Sequence, residues 1–298
     1  QGDFLNAFGG WDFFLDGLYK NPIYSFNYFG FGNESVNEIK QRDDEFYRVR
    51  QGLISLAPAL KKRLGSEQIY FTVGPSFLHA EIEATPGRYL TSKLSDVPPS
   101  AFEEQSYGGL RFRFHYYNVD DPVLPHRGVA FHSSVHWQRR LQSSGQAFTQ
   151  WRTEFTVYQN LDRREQLVFA TRLGFGHNFG DGFQFWQAPN LGGRNSSLRG
   201  YRAERFYGRV AFWHNLDLRA RLFSSYNPTL PFTFGLFAGF DYGRVWVDDD
   251  PSEAWHYDWG GGIWIAPVDA FALSVGLFTP REDAEESTRL TVKLGFGF

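Results

Sequence analysis

Polar and apolar side chains alternate at almost every step along this chain. In GLRFRFHYYN, Leu110, Phe112, Phe114 and Tyr116 point one way, and Arg111, Arg113, His115 and Tyr117 point the other. In QWRTEFTVYQ, Trp151, Thr153, Phe155 and Val157 oppose Arg152, Glu154, Thr156 and Tyr158, and LTVKLGFGF puts Leu290, Val292, Leu294, Phe296 and Phe298 on one side. A period of two marks strands with one apolar face. Many segments persist for about 9–15 residues, beyond the 5–6 of an ordinary soluble strand and long enough for a tilted strand to cross a bilayer. The pattern predicts twelve strands, at 10–20, 45–62, 68–83, 108–118, 128–141, 150–161, 165–179, 207–224, 232–247, 257–266, 270–279 and 289–298.

The connections alternate in length. Those at 21–44, 84–107, 180–206, 248–256 and 280–288 are long, whereas turns around Arg163 and Arg164, residues 227–231 and residues 267–269 are short. Long outer loops alternating with short inner turns are the rule for outer-membrane barrels. In hydrocarbon each unpaired backbone group costs several kcal/mol, so such an array closes on itself. The expected fold is therefore all-β: a closed antiparallel transmembrane barrel of twelve strands, one domain over residues 1–298, with both termini periplasmic and no soluble module in it.

Composition fits that reading. Aromatic residues are 19% of the chain while the mean hydropathy is −0.41, as expected for strands with one greasy and one wet face. Trp137, Trp151, Trp246 and Trp259 fall near segment ends, where interfacial girdles sit. A formal net charge of −3 argues against a nucleic-acid partner. The absence of Cys removes disulfides, zinc–thiolate sites and thiol nucleophiles. The outward faces would meet outer-membrane lipid and lipopolysaccharide, with other outer-membrane or periplasmic proteins as further partners. No cofactor and no metal is expected. The acidic runs at Asp248, Asp249 and Asp250, and at Glu282, Asp283, Glu285 and Glu286, hold oxygen ligands of the kind that suit Ca²⁺ but read as solvated loop charge.

The long connection holding NLGGRNSSLRGYRAERFYGR raises a more specific point. Leu198, Arg199, Gly200 and Tyr201 resemble the (V/L)-R-G-(F/Y) signature of the BamA/TamA/FhaC superfamily, the bacterial surface antigen barrels. GFDYGRVW is similar to that family's F-x-D-x-G strand, with Phe240, Asp241 and Gly243 in place, and NLDLRARL resembles the strand after the signature loop. NPIYSFNYFGFGNES is similar to a loop of short or hydrolase-fused members in Bacteroidetes-like bacteria. The resemblance implies that the signature loop folds back into the lumen, and that the barrel inserts or translocates polypeptide through a weak seam between its first and last strands. The family's sixteen strands and its POTRA modules are departures, which leave open a plugged structural barrel, or an anchor or pore for a partner or passenger domain.

Alternation gives the loop an anchor. Asp241 shares a face with Thr233, Gly235 and Gly239, so it points inward beside small neighbours. Arg199 offers a planar fork to a carboxylate, and Gly200 permits a tight turn. The expected loop lock is Arg199, Gly200 and Tyr201 on Asp241 and Gly243. Glu154, Asp217, Arg219 and Arg221 are expected to form a lumen charge network. Gly295, Gly297 and Phe298 are expected in a loosely packed closing strand. His132, Ser134 and His136 lie on one face, a spacing that raises an outer-membrane lipid hydrolase, but alternation turns them to the lumen, away from lipid. No enzymatic activity is expected.

Overall fold

The computed structural model describes residues 2–22, 25–38, 42–43, 45–142, 145–193, 197–225, 227, 231–248, 250–267, 271–281 and 287–295. The alternating segments pair as one antiparallel meander. Its strands are β1 (Gly2–Phe8), β2 (Trp11–Lys20), β4 (Arg48–Leu64), β5 (Ser66–Ile82), β6 (Gln105–Val119), β7 (Gly128–Arg140), β8 (Ala147–Asn160), β9 (Leu167–Phe179), β12 (Val210–Ser225), β13 (Phe232–Trp246), β14 (His256–Pro267), β15 (Leu273–Pro280) and β16 (Arg289–Leu294). A short β3 (Ser25–Asn27) pairs with β4 to make fourteen strands in the sheet. β10 (Asn190–Leu191) and β11 (Phe206–Tyr207) form a separate two-stranded ribbon within the connection between β9 and β12.

Each of the twelve expected segments holds a strand among the described residues, and β1 and β3 are additional. β1 turns into β2 through Gly9 and Gly10, both at positive φ, where only glycine is free of strain. Gly2 pairs with Leu15, so the first described residue lies partway along β2 rather than at the turn. β1 and β16 are the two ends of the meander, and no ladder between them is seen among the described residues.

The sheet is inside out relative to a soluble sandwich. On β13, Phe240 is 37% exposed while the next residue, Asp241, is 0% exposed; on β12, Leu218 is 44% exposed and Asp217 only 5%. Exposed Leu, Ile, Val and Phe continue around the outer face at Ile54, Phe77, Phe112, Val135, Leu173, Ile263 and Leu277. The inner face carries buried Thr72, Gln138, Thr156, Arg172, Asn215, Asp258 and Thr291. Apolar side chains turned outward over a polar interior need an apolar solvent outside. At the loop-rich end, Tyr242, Trp246, Trp255 and Tyr257 form an outer aromatic cluster, the amphipathic belt expected where a bilayer meets water.

Candidate functional site: a loop held against the inner wall

Residues 180–193 leave β9 for the space inside the sheet, and residues 197–209 return from it to β12. Leu191, Leu198, Tyr201 and Phe206 of this segment are buried with Ala211, Trp213 and Val245 of β12 and β13. The sequence permits this approach because the wall is shaved where the loop lies. A side chain at Gly243 would meet the β12 carbonyl of Phe212 at 2.7 Å and Leu191 at 3.1 Å. Gly200 sits against Asp258: an added Cβ would lie 2.7 Å from the Asp258 Cβ. At Gly200 even one methyl group would displace the loop, and at Gly243 it would press on the β12 backbone and crowd Leu191.

At the tip, Arg199 is clasped by two carboxylates. Its Nε donates to Asp241 Oδ2 at 2.7 Å and its Nη2 to Asp241 Oδ1 at 2.6 Å, the parallel fork of a bidentate pair. Its backbone N–H also donates to Asp241 Oδ2 at 3.0 Å. Its Nη1 lies 2.8 Å from Asp217 Oδ1 on the neighbouring strand. The guanidinium stacks over the Phe278 ring, 4.2 Å from its centroid. Gly239 leaves the space for this cation, since a Cβ there would come within 2.6 Å of Arg199 Nη2 and 2.9 Å of Asp217 Oδ1. Tyr201 is buried beside Phe206 and His256 and donates its hydroxyl to the Tyr257 carbonyl.

Residues outside the expected set hold the same loop. Asn215 Nδ2 donates to the Ser197 carbonyl, and its Oδ1 accepts from Arg172 Nε and Nη2 at 3.0 and 2.8 Å. From the other side, residues 27–35 press down on the loop's return. Asn33 pairs with both backbone groups of Val245, Arg205 donates to Ser35, and Tyr28 packs on Phe185 and Tyr207.

The expected charge network separates into parts. Asp217 binds Arg219 at 3.0 Å as well as Arg199. Glu154 faces Arg172 at 3.6 Å instead. Arg221, about 13 Å further along β12 at 3.3 Å per residue, donates to the Arg164 carbonyl near the short turns. Gly295 takes a positive φ just after β16, and its N–H donates to Ala272. Gly297 and Phe298 lie outside the described residues, as do Asp249, Glu282, Asp283, Glu285 and Glu286. Asp248 pairs with Arg209 at 2.6 Å, and no cluster of three or more potential metal ligands occurs among the described residues. His136 bonds Ser76 and His132 bonds His115, both within the interior, while Ser134 lies in register with Arg113 and Arg152.

An inward loop bearing L-R-G-Y, fixed through its arginine to the acidic residue of an F-x-D-x-G strand, belongs with one sequence match. Residues 14–298 match the Omp85 superfamily domain. The chain belongs to the Omp85 superfamily. Omp85 chains of known structure share its fold: BamA from Haemophilus ducreyi, in a form lacking POTRA domains 1–3, superposes with a TM-score of 0.68 at 16% identity, over 96% of this chain and 59% of that one. CdiB from Escherichia coli gives a TM-score of 0.56 at 14% identity, over 95% of this chain and 49% of that one. The chain thus spans about three-fifths and about half of those two proteins. Among curated proteins none matches the sequence. As a member of the Omp85 superfamily with this inside-out sheet, the protein is an outer-membrane β-barrel.

Proposed function

We propose that this barrel takes part in inserting or translocating polypeptide at the outer membrane. The observation that carries the reading is the inward loop, whose Arg199 is shared by Asp241 and Asp217 on the inner wall of an Omp85 barrel. In this reading the contacts act as a lock that keeps the loop seated until a client arrives. Residues 1–298 then form a single closed barrel, with the loop-rich end outside the cell and the short turns in the periplasm. β1 and β16 flank the seam, and Gly295 keeps the closing strand loosely packed. Outer-membrane lipid contacts the outward apolar faces, and periplasmic or outer-membrane proteins deliver the client. No chemical step is assigned to His132, Ser134 or His136, because their side of β7 faces away from lipid. Depleting the protein and quantifying other outer-membrane barrels tests the reading; unchanged levels would remove it.

A second reading is a plugged structural barrel that anchors a partner or passenger. The filled interior favours it, with Tyr28, Phe185, Leu198, Tyr201 and Tyr207 all buried within the loops and lumen. Planar-bilayer conductance separates the two. A plugged anchor stays closed whether or not Arg199 is replaced, whereas a seated and releasable loop gives openings in Arg199→Ala.

A further inference from the structure

Between β6 and β7 the chain forms a compact, self-braced loop in place of a tight turn. Asp120 Oδ1 accepts from the backbone N–H groups of His126 and Arg127, each at 3.0 Å. Asp121 Oδ1 accepts from those of Val123 and Leu124, at 2.7 and 3.0 Å. Side-chain bonds of this kind replace a backbone turn and fix where the tip points. Here the tip points inward. Val123 and Leu124 pack against the cluster that Phe237, Trp264, Ala266, Ala272 and Phe278 form on the inner faces of β13, β14 and β15 and the turn between the last two. Three strands, β8, β9 and β12, separate β7 from β13 in the sheet. At about 4.8 Å per strand step, the path along the wall is roughly 19 Å or more, so these two side chains reach the patch across the lumen.

The same patch is touched from the other end. Arg199 stacks on Phe278, and Phe278 lies 6.2 Å from Phe237, centroid to centroid. The rings lie over glycines of the wall. A Cβ at Gly276 would meet Phe237 at 2.7 Å, and one at Gly260 would meet Phe278 at 2.7 Å. Rings seated against bare backbone have no slack toward the wall, so a displacement at one end must move the neighbouring ring.

We propose that the Phe237–Trp264–Phe278 patch is an acceptor for apolar side chains of a polypeptide entering at the short-turn mouth, that Val123 and Leu124 occupy it as an internal stand-in, and that displacing them loosens Arg199 above. The occupant already in place defines the chemistry: two adjacent aliphatic side chains at the tip of a braced turn, seated on aromatic rings. The inference rests on the proposed polypeptide-handling role for its client. Its test uses the purified barrel alone, so its failure leaves the depletion experiment unaffected.

Hydrogen exchange on the detergent-purified chain reads both ends at once. Leu124→Asp should raise exchange within residues 197–207 at least about tenfold, and Arg199→Ala should raise it within residues 120–127, while Arg163→Ala in a different short turn changes neither. An excess of a short peptide of alternating Val, Leu and Ser should raise exchange at both ends of the wild-type protein and bind Leu124→Asp more tightly; a Ser/Asn peptide should do neither. Folding is checked by heat-modifiable gel mobility, and Leu124→Ala, which removes the contact without adding charge, carries the same test should Leu124→Asp fail to fold. Unchanged exchange at 197–207 in the folded variants, or an apolar peptide that leaves both segments untouched, overturns the proposal.

Discussion

Replacing Arg199 by Ala removes every side-chain hold that this residue gives the inward loop. Three nitrogen–oxygen contacts are lost, at 2.6, 2.7 and 2.8 Å. The carboxylates left behind are 0% exposed at Asp241 and 6% at Asp217, so neither can recover full hydration. Breaking a buried ion pair by removing one partner costs about 3–5 kcal/mol. Loss of the stacking on Phe278 adds about 0.5–2 kcal/mol. The Arg199 backbone N–H still reaches Asp241 and Asn215 still holds Ser197, so the low end, about 3 kcal/mol, is the expectation. At about 1.4 kcal/mol per tenfold, opening of the loop should become roughly a hundredfold more frequent. Hydrogen exchange of residues 197–207 in the folded, detergent-purified protein measures this opening directly. Arg199→Lys should fall between, because an ammonium lacks the fork that serves Asp241 bidentately while reaching Asp217. Exchange in Arg199→Ala within about twofold of wild type, in a protein that keeps its heat-modifiable mobility, would refute the argument that this cation seats the loop.

Other perturbations follow from the same geometry. Gly200→Ala should unseat the loop at a cost of about 1–3 kcal/mol, and Asp258→Gly in the same chain should restore part of the protease resistance, because the tightest clash is with the Asp258 side chain while the Pro280 nitrogen at 3.1 Å stays. Gly239→Ala should mimic Arg199→Ala in the exchange assay, since the new methyl takes the space of the guanidinium. Leu218→Arg, on the outer face, should destabilise the barrel in vesicles by about 2–4 kcal/mol if it lies at the bilayer midplane, read by urea unfolding. The β6–β7 loop gives a pH prediction. Burial pushes the Asp120 carboxyl up, but N–H donation from Arg127, His126 and Asp121, with His126 beside it, outweighs burial and holds it below the usual carboxylate range. Its bracing is therefore complete above about pH 4 and is lost only as the pH falls through the depressed value. Protease sensitivity of residues 120–127 should stay flat from about pH 8 to about pH 5 and rise only in stronger acid, while Asp120→Ala, which removes the accepting oxygen, should be sensitive throughout.

The strands were legible because a two-residue period survives any detail of packing. Their number was less so. β1 escaped notice although Gly9 and Gly10 stand between two alternating segments, which is a hairpin signal, and β3 is too short to show a period. Arg199 and Asp241 were legible from their motifs and from the side of the strand that Asp241 occupies. Asp217 is legible as an inner-wall residue in a network with Glu154, Arg219 and Arg221, but not as a partner of Arg199, because that approach depends on where a loop lands rather than on its own strand. Asn215, Arg172, Asp258 and Phe278 went unseen for a related reason. Asp258 stands directly opposite Asp241, and Phe278 lies one strand further on, so their closeness is a matter of register between strands. Alternation assigns a face to each residue but no height. Residues 27–35 were visible as a motif, and their clamp on Val245 and Arg205 is a long-range contact that no local pattern encodes.

The central claim is that apolar side chains of this sheet face lipid while the opposite face of the same strands receives a charged loop. With no Cys in the chain, single spin labels can be placed along β13 without interference. Oxygen accessibility, measured by electron paramagnetic resonance in lipid vesicles, should be high for labels at 236, 238 and 240 and low at 235, 237 and 239. A flat profile, or one with the opposite phase, would contradict the account.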